Sequence, residues 1–419
     1  MVYILKNAWA LLLGMMLLMV GNGLQGTLLG LRGAVEGFSP TTMSYIMSGY
    51  FLGFLGGSYM APELIRRVGH VRVFAALGSV ISAAFILYAA LPNPIAWTFM
   101  RIIVGFCFAG VYVVAESWLN DAATNETRGQ ALSSYVIVQM VGIVTAQVLL
   151  NFADVSGYTL FVLMSVLVSV SFLPILLSST AAPIFRATKR MTLKELFIIS
   201  PLGCVGIFLL GGIFATLFGM ASVYGTEVGM SVREISIFIG LIYFGGMICQ
   251  YPIGWISDKM DRRKLIMILT AFGGATVLLG SIFTENQIVL YALAFTVGGV
   301  ANPLYSLIIA YTNDYLEPDD MASASGGLIF INGIGAIGMA VVVGWSMTRF
   351  GPNSFFVILA ILMSAIAGYA GYRTTKRAPT PVDETSAYAT VLPQASPIAV
   401  EVAQEVAIEM ALEEEYTEL

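Results

Sequence analysis

Residues 254–264, GWISDKMDRRK, concentrate charge in a chain that otherwise has little of it. Six of the seven positions from Asp258 to Lys264 carry Asp, Lys or Arg, whereas charged residues make up 11% of the whole sequence. Side chains of opposite charge at this spacing can form and break ion pairs, which is the chemistry of a reversible gate.

A second group of ionisable residues, Arg101 and Glu116, lies inside an apolar run. Charged side chains are costly in hydrocarbon, so both are expected to face water or a partner. At about 100° per residue they fall on one broad stripe of a helix, about 22 Å apart along its axis. They therefore cannot touch. Arg101 is a candidate ligand for an anionic substrate group, or a donor to carbonyl groups and to Gln25 or Asn22.

The runs that carry these residues are apolar and about 20 residues long, enough at ~1.5 Å per residue to cross a ~30 Å hydrocarbon core. Hydrophobic residues are 58% of the 419, and the mean hydropathy is +0.85. Such a composition excludes an ordinary soluble domain, and we expect an all-α membrane protein. Its twelve transmembrane helices are predicted near residues 8–31, 40–61, 71–91, 95–118, 129–152, 158–177, 200–224, 233–255, 264–283, 288–313, 322–345 and 354–373.

Loop charge predicts the orientation. If both termini are cytoplasmic, 16 of the 20 Lys and Arg residues lie in cytoplasmic segments and only Arg32, Arg233 and Arg349 lie outside. The excess follows the positive-inside rule. We expect an integral protein of a bacterial inner membrane with both termini in the cytoplasm.

The helix pattern repeats when the sequence is shifted by 192 residues. This predicts two six-helix pseudo-repeats, residues 1–177 and 200–375, joined by a cytoplasmic linker at 178–199. Parallel repeats of this kind enclose a substrate site between halves that rock. An acidic tail, 376–419, is expected to be largely disordered; a short helix at 398–415 that docks on basic loops is the alternative.

Several segments resemble the major facilitator superfamily. GWISDKMDRRK is similar to its signature loop, Gly-x-x-x-Asp-x-x-Gly-Arg-Arg-Lys, with Asp261 where Gly is usual, and PELIRRVGHVR is a degenerate first-half copy with Arg66 in the Asp position. The runs at 113–135 and 303–328 resemble the YcaD-like branch. The resemblance covers residues 1 to about 375 and implies secondary transport by alternating access.

Each half pairs a basic loop with an acidic one, and in the superfamily the signature loop is associated with gating. We expect a lock on the cytoplasmic side that holds the outward-open state, with Glu116 in a charge relay with loop arginines. The predicted gating and relay residues are Arg66, Arg67, Glu116, Arg128, Asp258, Arg262, Arg263, Asp314 and Asp320. The alternative is that these charges only obey the positive-inside rule.

The resemblance also implies that helices 1, 4, 7 and 10 line the cavity. The predicted substrate-cavity residues are Asn22, Gln25, Arg101, Tyr112, Tyr224, Asn302 and Tyr305. Helices 5, 8 and 11 are expected to add Gln139, Gln147, Tyr243, Gln250 and Asn332. Any single one of these is more often an interhelical hydrogen bond than a ligand, but the set suits an amphiphilic small organic solute.

Three functions remain open. The first is efflux or uptake of a drug or metabolite, with or without proton coupling; the motif RIIVGFCFAG, which begins at Arg101, resembles one tied to coupling in antiporters, but no carboxylate lies deep in helices 1, 7 or 10. The second is an uncoupled facilitator or organic-anion exchanger that uses Arg101. The third is a membrane solute sensor that signals through its tail.

Nothing in the sequence has the pattern of an enzyme. No nucleophile lies beside a base and no phosphate-binding loop occurs in a soluble domain. The three cysteines, Cys107, Cys204 and Cys249, fall one to a predicted helix without metal-ligand spacing. We expect no cofactor, no metal and no nucleic acid; the expected partners are a small-molecule substrate and the lipid bilayer, with protons as a further candidate, and the expected state is a monomer.

Overall fold

The computed structural model describes residues 2–122, 125–176, 191–283 and 286–376, together with 380–381, 385, 388–392, 395–396, 398–400 and 402–403 of the tail. The side chains of 2–8, 121–122, 125–128, 318–319, and 322 are outside the described part. The predicted role of the Arg128 side chain, most of the linker at 178–199 and most of the tail therefore fall outside it as well.

Within the described ranges every regular element is helical, which confirms the predicted all-α membrane fold. The long helices are α1 Val2–Val35, α2 Pro40–Val68, α3 His70–Ala90, α4 Pro94–Ala122, α5 Asn125–Leu149, α6 Thr159–Ser171, α7 Pro201–Glu227, α8 Val232–Ser257, α9 Arg262–Gly280, α10 Gln287–Asn313, α11 Pro318–Phe350 and α12 Ser354–Thr374. A short helix, Leu193–Ile199, lies within the predicted linker.

Eleven helices of the described chain are long and apolar enough to cross a membrane. The remaining long helix, α2, has 29 residues and is more polar. Its length of about 43 Å at ~1.5 Å per residue would still span a bilayer, and its polar residues Ser44 and Ser48 are buried. Both observations agree with a twelve-helix architecture.

Local sequence signals explain where several helices begin and end. Ser39 accepts a hydrogen bond from the backbone N–H of Thr42 at the start of α2, and Ser231 with Glu234 forms a capping box at the start of α8. Such caps satisfy backbone donors that have no partner within the helix. Gly69 and Gly351, with φ of 87° and 92°, end α2 and α11 in a conformation that L side chains rarely adopt.

Glycines bring α2 close to α4 in the first half and α8 close to α10 in the second. Gly53 faces the backbone of Ile102, and Gly245, 192 positions later, faces the backbone of Phe295. Small residues at such contacts let helix backbones approach closely in a membrane. The same contact at positions that match within one residue shows the pseudo-repeat in three dimensions.

The two halves contact each other unequally along the membrane normal. We call the end of the bundle with residues 257–262 the basic face and the end with residues 35–40 the opposite face. At the opposite face the halves touch directly: the hydroxyls of Thr41 on α2 and Thr348 on α11 are 2.8 Å apart, and Asn151 after α5 donates to Ser236 on α8 at 3.1 Å.

One prediction concerns the close helix pairs. Gly53→Ala is expected to lower the free energy of unfolding by about 2 kcal/mol, because the new Cβ would overlap the carbonyl of Ile102. Gly338→Ala is the matched control, since no described atom lies within 4 Å of the Cβ it would add. Denaturant titration of the purified variants in detergent measures the difference. Equal stability of the two variants would contradict the packing described here.

Candidate functional site

A cavity lies between the two halves. α1, α2, α4 and α5 form one wall, and α7, α8 and α11 form the other. Its empty volume, with the open mouth included, is about 1100 Å³. The polar lining residues are Asn22, Thr27, Arg101, Gln147, Ser222 and Asn332, and the aromatic ones are Tyr50, Phe51, Phe54, Phe214, Phe218 and Tyr243.

Arg101 gives this cavity a buried positive charge. The residue is 5% exposed, its guanidinium carbon lies 4.8 Å from the centroid of the Tyr50 ring, and one terminal nitrogen contacts the sulfur of Met47 at 3.4 Å. Its Nε has no hydrogen-bond partner among the described residues. None of the described residues that line the cavity is acidic. An anion in the cavity would therefore meet a cation that no carboxylate of this lining neutralises.

Aromatic rings form much of the cavity wall. Phe218 stacks on Tyr243 with ring centroids 4.8 Å apart, and Phe214 stacks on Phe218 at 5.5 Å. Across the cavity, the rings of Tyr50 and Phe54 lie 6.1 Å apart. Flat, apolar surfaces of this kind favour a planar aromatic solute.

Amide side chains supply the hydrogen-bonding groups. The Thr27 hydroxyl donates to Gln147 Oε1 at 3.0 Å, Asn332 donates to the carbonyl of Ile207 at 3.1 Å, and Asn22 donates to the Tyr112 hydroxyl at 3.3 Å. An amide has two donor hydrogens and two acceptor lone pairs. These contacts orient the three amide side chains. Each amide keeps further donors or acceptors with which it can bind a ligand.

A π-helical turn, Ala215–Met220, interrupts α7 at the cavity. It separates the α-helical segments Pro201–Phe214 and Ala221–Glu227. A π turn holds an extra residue and shifts the helical register, and such turns occur often at functional sites. Leu217, Phe218 and Gly219 of this turn all line the cavity.

The structure places only part of the predicted cavity set in the wall. Asn22 and Arg101 lie there, as do Gln147, Tyr243 and Asn332 from the additional helices. Among the described residues α10 contributes none to the wall, and α2, which the prediction omits, contributes three.

The other predicted cavity residues pack within a single half. Gln25 donates to the Tyr88 hydroxyl at 3.1 Å, and Tyr112 lies behind Asn22. At about 100° per residue, Gln25 lies about 60° outside the arc of α1 that faces the cavity. A polar residue in the right helix was therefore assigned to the wrong face.

The same correction applies in the second half. Tyr224 stacks on Phe355 with centroids 4.9 Å apart, and Asn302 donates to the Gly298 carbonyl one turn earlier at 3.0 Å. Tyr305 is fully buried behind Phe214, with ring centroids 6.0 Å apart. These side chains fill helix interfaces. Large aromatic rings pack well there, and so does an amide that donates to a carbonyl of its own helix.

Sequence reasoning missed Tyr50, Phe51 and Phe54 as cavity residues. They belong to the glycine-rich run GYFLGFLGG at residues 49–57. Positions 50, 51 and 54 have the i, i+1, i+4 spacing of one helix face. That spacing is the signal that could have identified them.

The signature loop forms a buried ion cluster in the second half. The Arg262 side chain is 1% exposed and donates to Asp314 at 2.5 Å and to Asp258 at 3.1 Å. It also donates to the Ala310 carbonyl at 3.2 Å and the Ser257 hydroxyl at 3.1 Å. The cluster joins the ends of α8, α9 and α10, so these contacts hold one half together and do not bridge the two halves.

Arg263 makes a separate, local contact. It pairs with Asp261 at 2.8 Å, and Asp261 also caps α9 by accepting from the Arg263 backbone N–H at 2.9 Å. Burial alone would raise the pKa of Asp261, but these hydrogen bonds outweigh it and hold the pKa below its usual value. Asp261 therefore caps α9 at the position where glycine was expected.

The described residues of the first half do not form the predicted relay. Arg66 and Arg67 pair with Glu63, one turn earlier on α2, at 2.8 and 2.6 Å, and both side chains are 70% exposed. Glu63 is the nearer carboxylate and so takes both guanidinium groups. Among the described ion pairs, none includes Glu116 or Asp320.

Glu116 has other partners. It is 2% exposed, accepts from the Tyr135 hydroxyl at 3.1 Å and accepts from the backbone N–H of Ser396 at 2.9 Å. Ser396 belongs to the tail, which sequence reasoning expected to be largely disordered. In the described part of the chain no group of three or more His, Cys, Asp or Glu residues is arranged to hold a metal ion.

Comparisons with known proteins agree with this geometry. A family model described as Major Facilitator Superfamily matches residues 11–202 and 202–402. The uncharacterised MFS-type transporter YcaD of Escherichia fergusonii is 24% identical over 352 residues, which cover 84% of this chain and 91% of the relative. YcaD of Salmonella typhi is 25% identical over 354 residues, with the same coverage.

Solved structures share the fold. A crystal structure of the nucleoside transporter NupG superposes with a TM-score of 0.71 and 14% identity, covering 87% of this chain and 98% of NupG. A bacterial homologue of the human lysosomal transporter Spinster, inward-facing and unoccupied, has a TM-score of 0.66 and 13% identity, covering 98% of this chain and 97% of its own.

The ion cluster yields a prediction. Asp314→Asn is expected to lower the free energy of unfolding by about 3 kcal/mol, because it leaves the buried Arg262 charge without its buried partner. Asp258→Asn is expected to cost less than about 1 kcal/mol, since Asp258 is 42% exposed. Denaturant titration in detergent tests both. A larger loss in Asp258→Asn than in Asp314→Asn would reverse the assignment.

Proposed function

This chain belongs to the major facilitator superfamily, a family of secondary membrane transporters, and from that premise we propose that its substrate binds in the cavity between the halves. The halves correspond to residues 1–177 and 200–375, with 178–199 as linker. The substrate crosses the membrane when the cavity opens to each face in turn. Support comes from the polar and aromatic lining drawn from seven helices of both halves.

The basic face is proposed to be the cytoplasmic one, in a bacterial inner membrane. The excess of Lys and Arg in the segments that would lie on this face supports the orientation. In that orientation the structure has its direct contacts between halves at the outer face, through Thr41 and Thr348 on one side and Asn151 and Ser236 on the other.

The gating role of the signature loop is proposed in a revised form. The Asp258–Arg262–Asp314 cluster keeps the ends of α8, α9 and α10 as one rigid unit, so that the second half can rock as a body. Asp258 is the exposed member of the cluster. It is therefore the member available to a partner from the other half when the cytoplasmic face closes.

The substrate is proposed to be a planar organic anion. The observation that carries this proposal is Arg101, a buried guanidinium in the cavity wall with no acidic residue in the described lining. The stacked rings of Phe218 and Tyr243 accept the flat body, and the amides of Asn22 and Gln147 orient it. Because none of the described lining residues has a carboxylate, we favour facilitated transport or anion exchange over proton coupling.

A neutral aromatic solute is the second candidate. The solved transporter NupG is named for nucleosides, and the aromatic and amide groups of this cavity would also suit an uncharged ring system. The two candidates differ in their dependence on Arg101. The protein is proposed to act as a monomer, without catalysis.

Matched solute pairs test the charge of the substrate. Aromatic carboxylates are compared with their own primary amides, together with a set of nucleosides, by the thermal stability of purified protein and by flux into proteoliposomes. A carboxylate is expected to bind, and Arg101→Ala is expected to weaken its binding about 100-fold, as for loss of a hydrogen-bonded ion pair of about 3 kcal/mol. Arg101→Lys retains the charge and is the control.

Equal binding of an acid and its amide, or unchanged flux in Arg101→Ala, would contradict the anion proposal. A pH-sensitive dye inside the proteoliposomes reports coupling in the same assay. An internal pH change driven by the solute in wild-type protein would restore the proton-coupled alternative. If residues 378–419 are deleted, a carrier keeps its flux, whereas a sensor that signals through the tail loses its output.

A further inference from the structure

Several described residues of the tail lie between the two halves at the basic face. We call residues 388–392, 395–396, 398–400 and 402–403 the tail segment. Val391 is 2% exposed, and Val400 is fully buried. Apolar residues of a solvated tail would not be shielded in this way, so the tail segment is packed against the helical bundle.

One end of the tail segment is bound to the second half. The backbone N–H of Tyr388 donates to Asp258 at 2.9 Å, and Gln250 on α8 donates to the Tyr388 hydroxyl at 3.0 Å. Ser306 on α10 then bonds the backbone N–H and the carbonyl of Val391, each at 3.0 Å. Backbone hydrogen bonds of this kind fix the path of a chain segment, because buried peptide groups need partners.

The other end is bound to the first half. The N–H of Ser396 donates to the buried carboxylate of Glu116 on α4 at 2.9 Å. Farther along, Ala399 and Val402 line a small gap together with Leu119 and Leu132. The tail segment thus crosses from one half to the other on the face where the bundle has its charged loops.

This placement has a mechanical consequence. At the opposite face the halves touch directly, so exposure of the cavity on that side requires them to separate there. In a rocking mechanism, separation at one face accompanies closure at the other. The tail segment occupies the space at the basic face into which the halves would close.

We propose that the tail segment is a plug carried by the chain itself, which docks between the halves at the basic face and holds the opposite face closed. Its binding energy stabilises one of the two conformations and shifts the population toward it. Glu116 is its anchor on the first half, and Asp258 with Ser306 is its anchor on the second. Transport requires the plug to leave, so its release controls the activity of the carrier.

Cysteine reactivity tests the plug without any knowledge of the substrate. Cys107, Cys204 and Cys249 are replaced by Ala, and Ser44→Cys is introduced on α2. Ser44 is fully buried and faces Gly344 of α11 near the opposite face. A maleimide reagent added to the purified protein in detergent reacts with this cysteine only when the halves separate at that face.

Two variants release the plug: truncation after Lys376, and Val400→Asp, which places a charge at a fully buried position. Each is expected to raise the labelling rate of the cysteine on the order of tenfold, equivalent to about 1.4 kcal/mol of docking free energy. Pro381→Asp adds the same charge at an exposed tail position and is the matched control. In this control the labelling rate of the cysteine at position 44 is expected to equal the rate in the protein with an unaltered tail.

Unchanged labelling after truncation and in Val400→Asp overturns the plug, and so does an equal rise in Pro381→Asp.

A disulfide gives the converse test. Leu132→Cys with Ala399→Cys should cross-link the tail segment to α5 and stop flux of any solute that the carrier transports, with recovery on reduction. Full flux in the cross-linked protein also overturns it. Since labelling needs no solute, failure of the anion proposal leaves this result interpretable.

Discussion

Hydrocarbon offers no hydrogen-bond partner to a peptide group or an ionised side chain, and this constraint shapes the protein. It requires each crossing segment to be a helix, and it drives polar side chains toward protein or water. Arg101 shows the consequence most clearly: in the membrane its charge is tolerable only where water or a ligand can reach it. The cavity between the halves supplies that place, lined by groups that keep hydrogen-bonding capacity.

The two faces of the bundle are joined by different means. At the opposite face the halves meet through short side-chain contacts such as Thr41 with Thr348. At the basic face the tail segment lies between them, while the Arg262 cluster stabilises only the second half. The halves are thus held by a few direct contacts at the opposite face and by a removable tail segment at the basic face. This arrangement is suited to two alternative conformations of similar free energy.

The sequence predicted the features that have a strong physical signature. The all-helical membrane fold and its repeat follow from hydropathy, and the burial of Arg101 away from lipid follows from the cost of charge in a membrane. The face of a polar residue has no such signature in a helix surrounded by other helices, which is why Gln25 and Tyr305 were assigned to the cavity. Composition reports the acidity of the tail but not the contacts that bury Val391 and Val400.

The account depends on opposite movements at the two faces. Pulsed electron–electron double resonance measures the distance between spin labels at Thr41 and Thr348 at the opposite face. A second pair of labels, at Val68 and Lys259, gives the distance at the basic face. After truncation of the tail, a new population is predicted in which the first distance lengthens while the second shortens. Distances at both faces that stay fixed in the truncated protein, or that lengthen together, would contradict the two-conformation account.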